Sequence, residues 1–176
     1  MMHKKVVMGV KKYRYVFLLI FFIAVGVFFS ALYITIKNKQ EIHKNGLSSV
    51  GTLFDVKSKY LKVRYVIGGE ALVFGTNTPF QHLQNGEEYL IKYLENDLEY
   101  INVHYSTPIF SDHYQYNTTN CRSIAKNLSV VTFEYLIAEK QYVRNVLYKE
   151  GDSLTPNDYM IKYRVDNPKI GYLIKK

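Results

Sequence analysis

The chain has one cysteine, no tryptophan and, ahead of a long apolar run, no acidic residue. Cys121 alone cannot form an intramolecular disulfide, so no covalent framework is available and cysteine usage does not fix the compartment. The histidines, His3, His43, His82, His104 and His113, include no pair four apart around a glutamate, and no cysteine pair accompanies them. Zinc therefore has no ligand spacing. Gly68-Gly69 is flanked by strand-like alternation rather than by a helix start, which excludes a phosphate-cradling glycine loop. The expectation is no metal, no cofactor and no assignable catalytic residue.

What is present begins with Val16–Ile36, "VFLLIFFIAVGVFFSALYITI", which contains no charge. At ~1.5 Å per residue this run gives a helix of ~31 Å, the thickness of a hydrocarbon core of ~30 Å. A buried soluble helix would carry a polar stripe, and only Gly26, Ser30, Tyr33 and Thr35 relieve the run. A cleaved signal peptide would have a shorter apolar region closed by a small-x-small site. The reading is an uncleaved signal anchor over 15–37, in contact with the lipid bilayer, after a basic start at 1–14.

Orientation follows from the flanks. Lys4, Lys5, Lys11, Lys12 and Arg14 precede the span, whereas Lys37, Lys39 and Lys44 follow it with Glu41 interspersed. Positive residues stay inside, so the N-terminus is expected in the cytoplasm, with the C-terminal part outside. The formal charge of +8 is mostly this topology signal: five of the 23 cations lie before the span and all 15 acids after it, so 18 cations face 15 acids and leave +3. That near balance argues against nucleic acid as a partner.

Beyond the span the chain speaks twice. Shifted by 70 residues, Tyr65, Ile67 and Val73 fall on Tyr135, Ile137 and Val143, and Tyr89, Ile91, Lys92 and Tyr93 on Tyr159, Ile161, Lys162 and Tyr163. Tyr89, Ile91 and Tyr93 alternate with Glu88, Leu90 and Lys92 at period two, the pattern of a strand with one buried face. The spacing predicts strands at 49–56, 61–67, 70–74, 88–94 and 99–104, and again at 128–137, 140–147, 158–164 and 169–174. Gly68-Gly69 suits a tight primed turn, whereas Ala138-Glu139 suits it badly, so a longer loop or a different register is expected there. Asn85-Gly86 and Asn167-Pro168 mark further turns. "TPF" at Thr78–Phe80 and "TPN" at Thr155–Asn157 read as short helical turns opened by threonine. The fold class is one transmembrane α-helix followed by all-β, with two tandem antiparallel sheet or barrel-like units: 38–105, a polar linker at 106–119, and 120–176. Units of roughly 55 residues bury little core alone, so the two should pack together.

Asn45-Gly46, Gly51-Thr52, "VRYVIGGE" from Val63, "NGEEYLIKY" from Asn85 and "IKYRVDNPKI" from Ile161 resemble small bacterial single-pass membrane proteins carrying a β-domain of unknown function. The resemblance implies a bacterial inner (cytoplasmic) membrane, a charged start, a membrane helix and a strand-rich domain. Its first copy departs at Asp97-Leu98, where Asn-Pro would be expected, and the second lacks the Gly-Thr opening. The family has no established catalytic residues, so none carries over.

Chemistry-bearing residues are sparse. His104, Asp112, His113 and Cys121 form the compact set with nucleophilic potential, beside the linker. Glu87, Glu88, Glu95, Asp97 and Glu99 read as a solvated edge that discourages strand addition. "NTT" at Asn117 and "NLS" at Asn127 match glycosylation triplets. These residues point to a membrane-anchored, non-enzymatic β-module of the bacterial cell envelope that binds a protein or another envelope component. The alternatives are a thiol-dependent enzyme using Cys121 with His104 or His113, and a nucleic-acid-binding small barrel.

Overall fold

The computed structural model describes residues 3–79, 82–147 and 154–176, and the chain divides into two compact units, 1–44 and 45–176. The first is α1, His3–Asn45, which extends 12 residues before and 8 residues after the expected span of 15–37, about five and a half turns in all. Its residues from Tyr15 to Asn45 make a helix long and apolar enough to cross a membrane. Phe17, Leu18, Leu19 and Ile20, which successive steps of ~100° place around the whole circumference, are all exposed, an arrangement that suits hydrocarbon rather than water. Ser30 Oγ and Thr35 Oγ1 donate to Gly26 O and Ala31 O at 2.9 Å, so their hydroxyls are satisfied within the helix.

The second unit is all-β. Strands β1 (Leu47–Phe54), β2 (Leu61–Ile67), β3 (Glu70–Thr76), β4 (Glu88–Leu94) and β5 (Asp97–Pro108) form an antiparallel sheet in the order β3-β2-β1-β4-β5. Its edges β3 and β5 approach each other, curling the sheet into a half-barrel. Leu61, Val63 and Tyr65 of β2 and Tyr89, Ile91 and Tyr93 of β4 point into its core, as period-two alternation predicts. Leu61, Val63 and Ile91 each stabilise the fold by about 1.5–3 kcal/mol on burial.

Strands β6 (Tyr116–Asn120), β7 (Ser123–Asn127), β8 (Val130–Ile137), β9 (Lys140–Leu147), β10 (Tyr159–Arg164) and β11 (Gly171–Lys175) form two three-stranded sheets, β7-β8-β9 and β11-β10-β6. Their ladders recur at the 70-residue interval. Leu61 faces Thr76 and Val131 faces Val146; Ser49 faces Ile91 and Thr119 faces Ile161; Leu90 faces His104 and Met160 faces Ile174. Side-chain ties recur as well. Tyr65 Oη donates to Leu98 O at 2.5 Å and Tyr135 Oη to Pro168 O at 2.6 Å; Ser49 Oγ donates to Val66 O and Thr119 Oγ1 to Leu136 O.

One ladder slips. Leu53 faces Val63, but Ser123 faces Glu134 rather than Phe133. The slip falls where the counterpart of β1 breaks into β6 and β7, around Cys121. The cause is visible at Gly51, which β1 carries between β2 and β4: a Cβ there would lie 2.6 Å from Ile91 Cγ2 and 2.7 Å from Val63 Cγ1. Cys121, 70 residues on, has that Cβ, and its strand cannot run straight through.

Several expectations require correction. Ala138 and Glu139 make the same two-residue turn as Gly68-Gly69, with Ile137 facing Lys140, and both adopt positive φ (47° and 67°). The register is kept at the expense of backbone strain. Residues 106–119 are no loose linker, because β5 runs to Pro108, Ile109 N donates to Glu88 O at 2.9 Å, and Phe110 and Tyr116 pack on the first core. The strand expected at 128–137 starts at Val130, with Leu128 in a turn at φ 53° after the unforeseen β7. Thr155 precedes a 3-10 turn at Pro156–Asp158, as expected, while Thr78–Pro79 is not helical and Phe80 lies outside the described residues. The halves share a core: Ile170 and Tyr172 belong to the cluster built on β2 and β4.

Candidate functional site

The segment 82–87, between β3 and β4, is held by two arginines of the second half. Arg164 Nη1 donates to Gly86 O at 2.7 Å while Nε and Nη2 pair with Asp166, and its Cζ stacks 3.5 Å from the Tyr114 ring centroid. Arg144 goes deeper. It faces Phe133 across the β8–β9 ladder on the buried side and is only 1 % exposed. Its Nη1 donates to Glu87 Oε1 at 2.6 Å, His82 O at 2.6 Å and Lys169 O at 3.1 Å. His82 sits at φ 72°, a left-handed conformation that a non-glycine residue holds only where its surroundings fix it.

Glu87 is fully buried and fully engaged. Oε1 also accepts from Gln84 N at 2.8 Å, and Oε2 accepts from Tyr89 Oη at 2.5 Å. Burial alone would lower the pKa of Arg144, but the charge of Glu87 and its hydrogen bond outweigh it, and the guanidinium is held more firmly protonated than usual. The surrounding phenols respond in kind. Burial pushes Tyr89, Tyr135 and Tyr172 far above the usual tyrosine value, with Glu87 adding to each, and pushes Tyr105 up to about 12.

Arg144 also belongs to the wall of a cleft of about 290 Å³, with His82, Gln84, Lys140, Tyr142 and Lys169. Lys140 and Lys169 are exposed, and no carboxylate lines the cleft among the described residues. A neighbouring hollow of about 340 Å³ shares His82 and Gln84 and extends to Lys57, Ser58 and Thr78.

The residues singled out by sequence are not assembled in this way. Cys121 is buried, its thiol donates to Ser123 O at 3.2 Å, and burial pushes its pKa up, opposite to the activation a nucleophile needs. His104 lies on β5 facing Leu90, and His113 lies 3.5 Å from Glu88 Oε1. Ser111 Oγ and Thr52 Oγ1 both donate to Glu88. The carboxylate therefore sits between serine and histidine, whereas a relay needs the imidazole in the middle. Asp112 is exposed. The solvated-edge reading of the acidic stretch fails for Glu87 and Glu88, which are 0 % and 7 % exposed: Glu88 opens β4, an interior strand between β1 and β5, and Glu87 just before it is enclosed with Arg144 and Tyr89. Asn117 lies on β6 and Asn127 ends β7, both exposed. Among the described residues no three His, Cys, Asp or Glu side chains converge as a metal site.

Arg144 escaped the sequence reading, although a signal existed. At the 70-residue interval it takes the place of Phe74, which faces Val63 and packs on the first core. No family model, curated protein or solved structure matches the chain.

Proposed function

We propose that the chain is a membrane-tethered, non-enzymatic binding module of the bacterial cell envelope. In this reading the apolar helix anchors it with the N-terminus in the cytoplasm, and a duplicated β-unit outside presents the cleft beside Arg144 to a protein partner. The observation that carries it is the exchange of a half-buried phenylalanine, packed against the core, for a fully buried arginine in a ladder whose register recurs. A buried ion pair is a poor way to stabilise a core, since hydrophobic residues of like volume often do as well or better. The first half has that apolar solution in Phe74. A charge kept where the fold does not require one, at the wall of an open basic cleft, supports recognition.

The thiol reading is weakened by the raised pKa and inward hydrogen bond of Cys121. Nucleic-acid binding is weakened by the near balance of charge beyond the span. A photo-crosslinking residue placed in living cells at Val143, exposed on the strand of Arg144, should yield a discrete heavier adduct. The same residue at Leu128, a distant exposed turn position, should not. A tag after Lys176 should be digested in intact spheroplasts. Equal or no adducts from both positions would overturn the binding reading, and a protected tag the orientation.

A further inference from the structure

A guanidinium has two hydrogen-bonding sides. In Arg144 the inner one, Nη1, is spent on Glu87, His82 O and Lys169 O. Nε and Nη2 make up the other: two parallel N–H groups whose spacing matches the two oxygens of a carboxylate. Both are buried and meet no acceptor among the described residues. A buried donor left in that state is costly, and more so when it is charged. The Tyr172 ring, 5.9 Å from Cζ, recovers a part of this through its π face. Phe74 shows that the ladder position itself does not demand these donors.

The cleft that Arg144 helps to wall adds the ammonium groups of Lys140 and Lys169. Glu87 neutralises Arg144 from the inside, so the cleft keeps the net positive charge of the two lysines. We propose that it binds a carboxylate of the partner, an Asp or Glu side chain or a chain terminus, side-on to Nε and Nη2 of Arg144, with Lys140 and Lys169 flanking it. This rests on the binding-module reading above. Phosphate offers a comparable pair of oxygens, so inorganic phosphate is the competing ligand in the test below. Lys140 and Lys169 are exposed and their side chains reorient within nanoseconds, so they can follow a ligand that enters the cleft.

The full chain in neutral maltoside micelles, with isotope-labelled arginine, permits a direct test by magnetic resonance of the arginine Nε–H signals. Titration with N-acetylglycine should move one signal to saturation, that signal being absent in Arg144→Lys. N-acetylglycinamide and chloride at matched ionic strength should leave it in place. Lys140→Ala with Lys169→Ala, both at exposed positions, should weaken the binding about fivefold, the loss expected for two exposed cations. The proposal is overturned if the signal does not saturate, if the amide moves it equally, or if inorganic phosphate binds more tightly than the carboxylate. The titration needs no partner, so its failure with the Val143 adduct retained removes the carboxylate and keeps the module. Saturation without any adduct keeps the carboxylate site and removes the protein partner.

Discussion

Arg144 and Glu87 are a pair whose members cannot be judged singly. Removing one leaves the other as an uncompensated buried charge, so Arg144→Phe should destabilise the β-unit by about 3–5 kcal/mol although phenylalanine serves at the equivalent place. Adding Glu87→Gln, whose amide oxygen still accepts from Gln84 N while its amide N–H donates to Tyr89 Oη, should return most of that loss in urea unfolding followed by tyrosine fluorescence. The phenols around the pair set an alkaline limit. Tyr89, Tyr135 and Tyr172 hold their protons more tightly folded than unfolded, with burial the main cause. Their contribution is fully present below the ordinary value of 10.0 and is lost as pH rises from there through the raised folded values. Unfolding midpoints should therefore fall steeply above pH 10.0, in step with the appearance of tyrosinate absorbance.

At the scale of strands, Gly51 keeps β1 whole. Gly51→Ala puts a methyl group 2.6 Å from Ile91 Cγ2 and should cost about 1–3 kcal/mol in the same unfolding experiment. The turn at Ala138-Glu139 offers the opposite sign. Both residues sit in the left-handed region, so Ala138→Gly and Glu139→Gly should each stabilise by about 1 kcal/mol. Strands β2, β4 and β9 were legible in the sequence because period-two alternation is a local property, and α1 because its apolar run is continuous. β6 and β7 were not, because their separation comes from one Cβ meeting the counterparts of Ile91 and Val63 across the sheet. The turn at Ala138-Glu139 was misjudged for a related reason: two ladders already fix the ends, and their pairing outweighs the local cost in φ. The site was illegible for the same cause at longer range. Glu87 reads as a surface acid until Arg144, 57 residues away, is seen to neutralise it.

For the molecule as a whole, neither half is complete without the other. The core of the first half includes Ile170 and Tyr172, and its segment 82–87 is held by Arg144 and Arg164. A chain ended after Pro108 should therefore stay protease-sensitive in micelles under conditions where the full chain resists. The ion pair also imposes a schedule on biosynthesis. Glu87 is translated 57 residues ahead of its counterion, an interval of roughly 3–11 s at about 5–20 residues per second. Throughout that wait the nascent sheet must keep a carboxylate hydrated at a spot destined to be dry, so final closure belongs to the moments after Tyr172 has been made.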